Sequence, residues 1–145
     1  MLAKDRIIFL KKDFVQGFPA FCGIEVEHID YGMFSSKLNI RPEHKQQDGF
    51  VHAGVIATMA DHTAGYSAYT VVPENMRILT IEYKINYFKP AVGDKVICKS
   101  KLLNKGKNIL VAESNLFMIS KSTEVQISKA IVTLAAVPVR EKEFI

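Results

Sequence analysis

The stretch GFVHAGVIATMADHTAGYSA, Gly49 to Ala68, joins a glycine-containing loop to the one long helix that the sequence predicts. From Ala53 to about Tyr69 there is no proline, and Val55, Ile56, Met59, Thr63 and Tyr66 recur at helical spacing as one bulky, mainly apolar face. Ala53, Ala57, Ala60 and Ala64 recur at four, three and four residues. Such a small-residue stripe lets a second backbone approach closely, or lets the helix pack tightly on its own sheet. The helix start presents N–H groups without intrahelical partners, and the macrodipole favours negative charge there. About two turns further in stands Asp61, a poor helix former with no capping role at that position. An oxyanion could sit on such a helix end, and the carboxylate is the second part of a candidate site.

Outward from this stretch the pattern changes period. On the N-terminal side, residues 42–51 are polar and contain Asp48-Gly49, a turn dipeptide, so they predict a loop. Before it, Ile24 to Arg41 is extended chain interrupted by Asp30-Tyr31-Gly32, either two strands or one bent hairpin. Ile7, Leu10, Phe14 and Phe18 stand three and four apart and predict a short amphipathic helix ending near Gly17 and Pro19. On the C-terminal side, Ile81, Tyr83, Ile85 and Tyr87 alternate with Glu82, Lys84 and Asn86, a strand with one buried face stopped by Pro90 and Gly93. Lys95 to Leu103 and Asn108 to Ile119 follow as a hairpin turning at Lys105-Gly106-Lys107, and a last strand runs from Glu124 to Val137. The fold class is α+β: a largely antiparallel sheet with one long helix inserted after the first strands.

With 145 residues, 48% hydrophobic and 23% charged, the chain reads as a single domain over 1–145. Its formal charge of +4 comes from scattered basic residues, which argues against a nucleic-acid partner and permits a small anionic ligand. Cys22 and Cys98 have no metal or redox spacing, and the four histidines form no metal signature. His28 and His44 show no partner pattern, and His62 is turned about 100° from Asp61 on the helix, away from a common site. The apolar run Ile7 to Leu10 is too short for a signal peptide, and no segment approaches membrane-span length. The expectation is a soluble, cytoplasmic protein without membrane contact.

The loop and helix together resemble the hotdog-fold thioesterases of the phenylacetate-degradation type. That family carries N-x-x-G-x-x-H-G-G before its central helix and an acidic residue nine positions after the histidine. Here Gln46, Gly49, His52, Ala53 and Gly54 fall in register, and Asp61 lies nine after His52. A second block, TIEYKINYFKPAVGD from Thr80 to Asp94, is similar to the family's following strand and turn, and the resemblance spans roughly Gln46 to Val137. Gln46 stands in place of asparagine and Ala53 in place of the first glycine.

This resemblance implies a hotdog fold, an antiparallel β-sheet wrapped around one long central α-helix, and hydrolysis of an acyl-CoA or aryl-CoA thioester. Asp61 would be the catalytic carboxylate, as nucleophile or as general base, and the Ala53 and Gly54 amides the oxyanion hole. The Thr80 hydroxyl would position water or the carboxylate. Gln46, Gly49 and His52 would shape the loop on the substrate side. Met59, Tyr66, Tyr83 and Phe88 are candidates for the acyl pocket, and Lys89, Lys105 or Lys107 for the CoA phosphates. No metal or redox cofactor is implied, CoA being part of the substrate. Two other functions stay open: a non-catalytic acyl-CoA-binding module, which the Ala53 departure suits and Asp61 does not, and an enoyl-thioester hydratase, which needs an Asp and a His across one site and lacks support in this register.

Helix arithmetic adds a partner. Ala53 and Asp61 are eight residues apart, about 12 Å along one helix, whereas a reacting carbonyl must sit about 3 Å from its oxyanion donors. A two-fold axis near Ala57 would bring residue 53 of one helix beside residue 61 of an antiparallel copy. The resemblance implies the same: at least a homodimer with shared sites, and a homotetramer as a dimer of dimers.

Overall fold

The alternating segments in the second half of the chain become long strands because each carries a polar and an apolar side. In this computed structural model, which describes residues 1–139, two short helices come first, α1 (Lys4–Phe14) and α2 (Gly17–Cys22). The strands β1 (Glu25–Asp30) and β2 (Met33–Asn39) form a hairpin, followed by a 3₁₀ turn at Pro42–His44. The long helix α3 (Ala53–Tyr69) then leads into β3 (Met76–Tyr87), β4 (Lys95–Lys105), β5 (Ile109–Ser120) and β6 (Thr123–Pro138). All six strands make one antiparallel sheet in the order β1-β2-β4-β5-β6-β3. The sheet wraps around α3, the hotdog arrangement expected from the resemblance. No helix among the described residues is long and apolar enough to cross a membrane.

The core lies between α3 and one face of the sheet. Ile56, Met59, Ala60 and Ala64 of the helix meet Phe34 and Leu38 of β2, Val96 of β4, Leu116 of β5 and Leu134 of β6, all essentially fully buried. At about 25 cal/mol per Å² of apolar surface, this layer is the main source of stability. Hydroxyl groups run through it. Ser36 and Thr63 are 2.7 Å apart, Ser100 and Ser114 are 2.6 Å apart, and Ser114 donates to the Ala60 carbonyl at 2.6 Å. Buried polar groups are costly unless paired, so these bonds fix how α3 lies on β2, β4 and β5. Cys98, enclosed in the same row, has its thiol pushed up to about 11 by burial and is inert as a nucleophile.

Three expectations are corrected. The single N-terminal helix is two, because Gly17 takes a φ of +57° and turns the chain; Pro19 then falls in the first turn of α2, where a missing N–H costs nothing. Leu10 and Phe14 are buried as predicted, while Phe18 is 61% exposed. The expected buried face of β3 is largely open: Ile81, Tyr83 and Tyr87 remain 44–56% exposed, while Ile85 is partly buried against the core. β3 is an edge strand, bonded to β6 alone, and its pairing is interrupted by an irregularity between Thr80 and Glu82. The alanine stripe also divides. Ala60 and Ala64 are fully buried in the chain's own core, and only Ala53 and Ala57 stay accessible.

Candidate active site

The loop before α3 is folded by its own side chains. Gly49 takes φ +84°, the left-handed conformation that Asp48-Gly49 predicts, and the Gln46 side-chain carbonyl accepts the N–H groups of Asp48 and Phe50, the latter at 3.3 Å. Gln46 therefore acts as the loop's internal cap. Val51 N–H donates to the Ala91 carbonyl at 3.0 Å, which ties the loop to the segment after β3. His52 N–H donates to the His44 carbonyl at 2.8 Å. His44, without an assigned partner in the sequence, is buried: its Nδ1 accepts Arg41 N–H at 2.9 Å, so its Nε2–H donates to the Cys22 carbonyl at 2.7 Å.

His52 is the N-cap of α3, and its Nδ1 accepts the Gly54 N–H at 2.8 Å. The Gly54 amide, expected as an open oxyanion donor, is thus already engaged. A Cβ at residue 54 would stand 2.9 Å from that Nδ1, so only glycine admits the ring there. The Ala53 N–H has no acceptor among the described residues. Residue 53 lies outside the positive-φ set, so alanine presents its amide without the backbone strain that would demand glycine. On the other side, the Tyr87 hydroxyl donates to the Ala53 carbonyl at 3.0 Å.

Beside this helix end lies an open cavity of about 570 Å³. Of the predicted residues, Gln46, His52, Ala53, Phe88 and Lys89 line it, together with the aromatic ring of Phe50. Asp61 stands two turns along, half-buried, with Oδ1 accepting the Thr80 hydroxyl at 2.7 Å. Thr80 is therefore brought to the carboxylate, and Oδ2 has no side-chain partner among the described residues. Neither Asp61 nor Thr80 lines the cavity, and Gly54, Gly49, Tyr83 and Lys107 do not either. Lys107 sits in the turn between β4 and β5, and Tyr83 on the open edge strand.

Met59 and Tyr66 are corrected as acyl-pocket candidates. Met59 is fully enclosed in the core, and Tyr66 is filled in among Phe14, Phe34 and His62 with its hydroxyl donating to Asp13 Oδ2 at 2.8 Å. His62 faces away from Asp61's contacts as expected. Its Nε2–H donates to the Phe14 carbonyl at 2.9 Å, and burial lowers its basicity, so it anchors α1 as a neutral ring. Tyr87 was not among the predicted site residues. Its alternation with Ile85 and Tyr83 reads simply as a strand face, and the neighbouring Phe88 carried the pocket assignment instead. No group of three or more His, Cys, Asp or Glu among the described residues is placed to hold a metal ion.

Residues 48–119 match the sequence profile of the Thioesterase superfamily. Two Saccharolobus solfataricus proteins provisionally named as esterases are 29% and 27% identical over 93 residues, 64% of this chain in each case. The matches cover 66% and 61% of those relatives, just under two thirds of their length. A thioesterase family protein from Silicibacter pomeroyi shares the fold with a TM-score of 0.89 at 25% identity, over 92% of this chain and 99% of that one. A Haemophilus influenzae thioesterase superposes with a TM-score of 0.82 at 17% identity, over 93% of this chain and 92% of its own. Wrapped sheet, loop-and-helix register and matched profile agree: the chain has the hotdog fold, and its residues 48–119 are similar to the Thioesterase superfamily.

Proposed function

We propose that the protein is a thioester hydrolase acting on acyl-CoA or aryl-CoA. The observation that carries this reading is one helix bearing, at a cavity, an amide without an acceptor among the described residues, Ala53 N–H, and a carboxylate, Asp61, whose orientation Thr80 holds. The Ala53 amide takes the oxygen of the thioester carbonyl as charge develops on it. Asp61 then acts in one of two ways. As base it accepts a proton from the water whose oxygen attacks the carbonyl carbon; the C–S bond breaks and the thiolate takes that proton back. As nucleophile it forms a mixed anhydride with loss of thiolate, and water opens the anhydride. Both routes yield one acid and one free thiol, with no cofactor.

The site is proposed to be shared between two copies. Asp61 and the Ala53 amide lie too far apart along one helix to act on one carbonyl, by about 12 Å against a reach of about 3 Å. The open outer edge of β3, with Leu79, Ile81 and Tyr83 exposed, supplies an apolar surface beside the accessible Ala53 and Ala57. A two-fold axis near Ala57 uses both, and gives a homodimer with two equivalent sites; a homotetramer follows if two such dimers associate. Lys89, at the cavity mouth, is the first choice for a CoA phosphate.

The test is a panel of short, medium, long and aromatic acyl-CoA substrates with a thiol-trapping dye. Steady release of free CoA from at least one substrate is expected. Tight binding without release would make the protein a binding module, and loss of enoyl absorbance without thiol would make it a hydratase.

A further inference from the structure

Resting on the thioesterase reading, we infer that Tyr87 is a positioning residue: its hydroxyl, with the His52 ring, clamps the Ala53–Gly54 peptide and so aims the Ala53 N–H into the cavity.

The Ala53 carbonyl and the Gly54 N–H belong to one planar peptide unit. Tyr87 Oη–H holds the carbonyl end at 3.0 Å, and His52 Nδ1 holds the N–H end at 2.8 Å. The two anchors come from different parts of the chain, the end of β3 and the loop before α3. A helix start is the place where the backbone frays most easily, since its first amides lack intrahelical partners. Here the plane next to the reactive amide is fixed from both sides. Tyr87 and His52 also both line the cavity, so the clamp stands at the site and not behind it. Partial burial, with Tyr83 nearby, raises the Tyr87 phenol above its ordinary value, which keeps it protonated as the donor that this bond requires. The same strand supplies Thr80 to Asp61, so β3 orients both the amide end and the carboxylate end of α3.

The deciding variant is Tyr87→Phe, which removes one hydroxyl and keeps the ring. Because Tyr87 is 47% exposed, the fold should tolerate it, with an unchanged thermal midpoint as the check. Two readouts are taken. Backbone amide exchange at Gly54 should accelerate, with no change at Ala64 in the buried part of α3. In turnover, kcat should fall about tenfold, the worth of a single hydrogen bond to a positioned group, while KM stays within about twofold. Unchanged exchange at Gly54 would overturn the clamp. Faster exchange with kcat unchanged would overturn its role in positioning, and a rise in KM alone would make Tyr87 a substrate contact instead. Absence of thiol release by the unsubstituted protein would sink the thioesterase reading itself, a result separate from either exchange outcome.

Discussion

Asp61→Asn is expected to lower thioester turnover by about a thousandfold, the range lost when a positioned base or nucleophile is removed, with secondary structure and thermal midpoint retained. The amide keeps the size of the carboxylate and can still accept the Thr80 hydroxyl through its oxygen, so the contact seen at 2.7 Å survives. What disappears is the negative charge. Thr80→Ala should cost far less, about tenfold, because it frees the carboxylate without discharging it. Purified variants assayed with the best substrate of the acyl-CoA panel give the comparison. An Asn variant within a few-fold of the unsubstituted protein would make Asp61 a structural residue and remove the centre of the proposed mechanism.

A second large effect is expected at Gly54. In Gly54→Ala the new methyl group would stand 2.9 Å from His52 Nδ1 and 3.2 Å from Cε1, closer than carbon atoms normally approach, so the ring must leave its cap position. Both the cap on Gly54 and one jaw of the clamp are then lost, and the displaced ring crowds the cavity at Ala53. Turnover should fall about a hundredfold, in the range of a damaged oxyanion contact. Stability should not fall in step, because alanine is a better helix former than glycine by about 1 kcal/mol, which offsets part of the lost cap. Kinetics and thermal unfolding on one preparation separate the two effects. Turnover within threefold of the unsubstituted protein would show that the placement of His52 has no bearing on the reaction.

The fold was legible where hydrophobic periodicity was strong and its burial was internal to the chain. α3 begins and ends at the residues read from the sequence, and β4, β5 and β6 agree to within about two residues, because core-facing and solvent-facing side chains alternate along much of each strand. β3 shows the limit of that signal. Its alternation reports that one face avoids water, and says nothing about what covers it; within one chain that face is largely open. The break between α1 and α2 was hidden because Phe18 continues the spacing of Leu10 and Phe14, while the positive φ of Gly17 turns the chain regardless.

Of the candidate site, the contact of the Thr80 hydroxyl with the Asp61 carboxylate, one of the two roles expected of Thr80, was legible. The rest of the site's wiring was not. That His52 occupies the Gly54 amide, that Gln46 spends its carbonyl on the loop's own N–H groups, and that Tyr87 reaches Ala53 are contacts between side chains and main chain. Such bonds depend on rotamers and on the relative placement of strand and helix, quantities that residue spacing does not encode. Met59 was misassigned for a related reason: an apolar residue near a site looks the same in sequence whether it lines a pocket or, as here, is sealed in the core.

The central claim, a thioesterase site assembled from two copies, is tested most directly by complementation. A chain carrying Asp61→Asn keeps its amide end, and a chain carrying Gly54→Pro keeps its carboxylate while losing the N–H that His52 holds and driving residue 53 out of the helical backbone angles that aim its amide. Each alone should be nearly inactive. Mixed in equal amounts under conditions that exchange subunits, half of the dimers should be hybrids, each with one intact site made of Asp61 from one copy and the Ala53 amide from the other. Thiol release should recover to about a quarter of that of the unsubstituted dimer. No recovery despite hybrids demonstrated by mass or by differential tagging, or full activity in a stable monomer, would contradict the shared site.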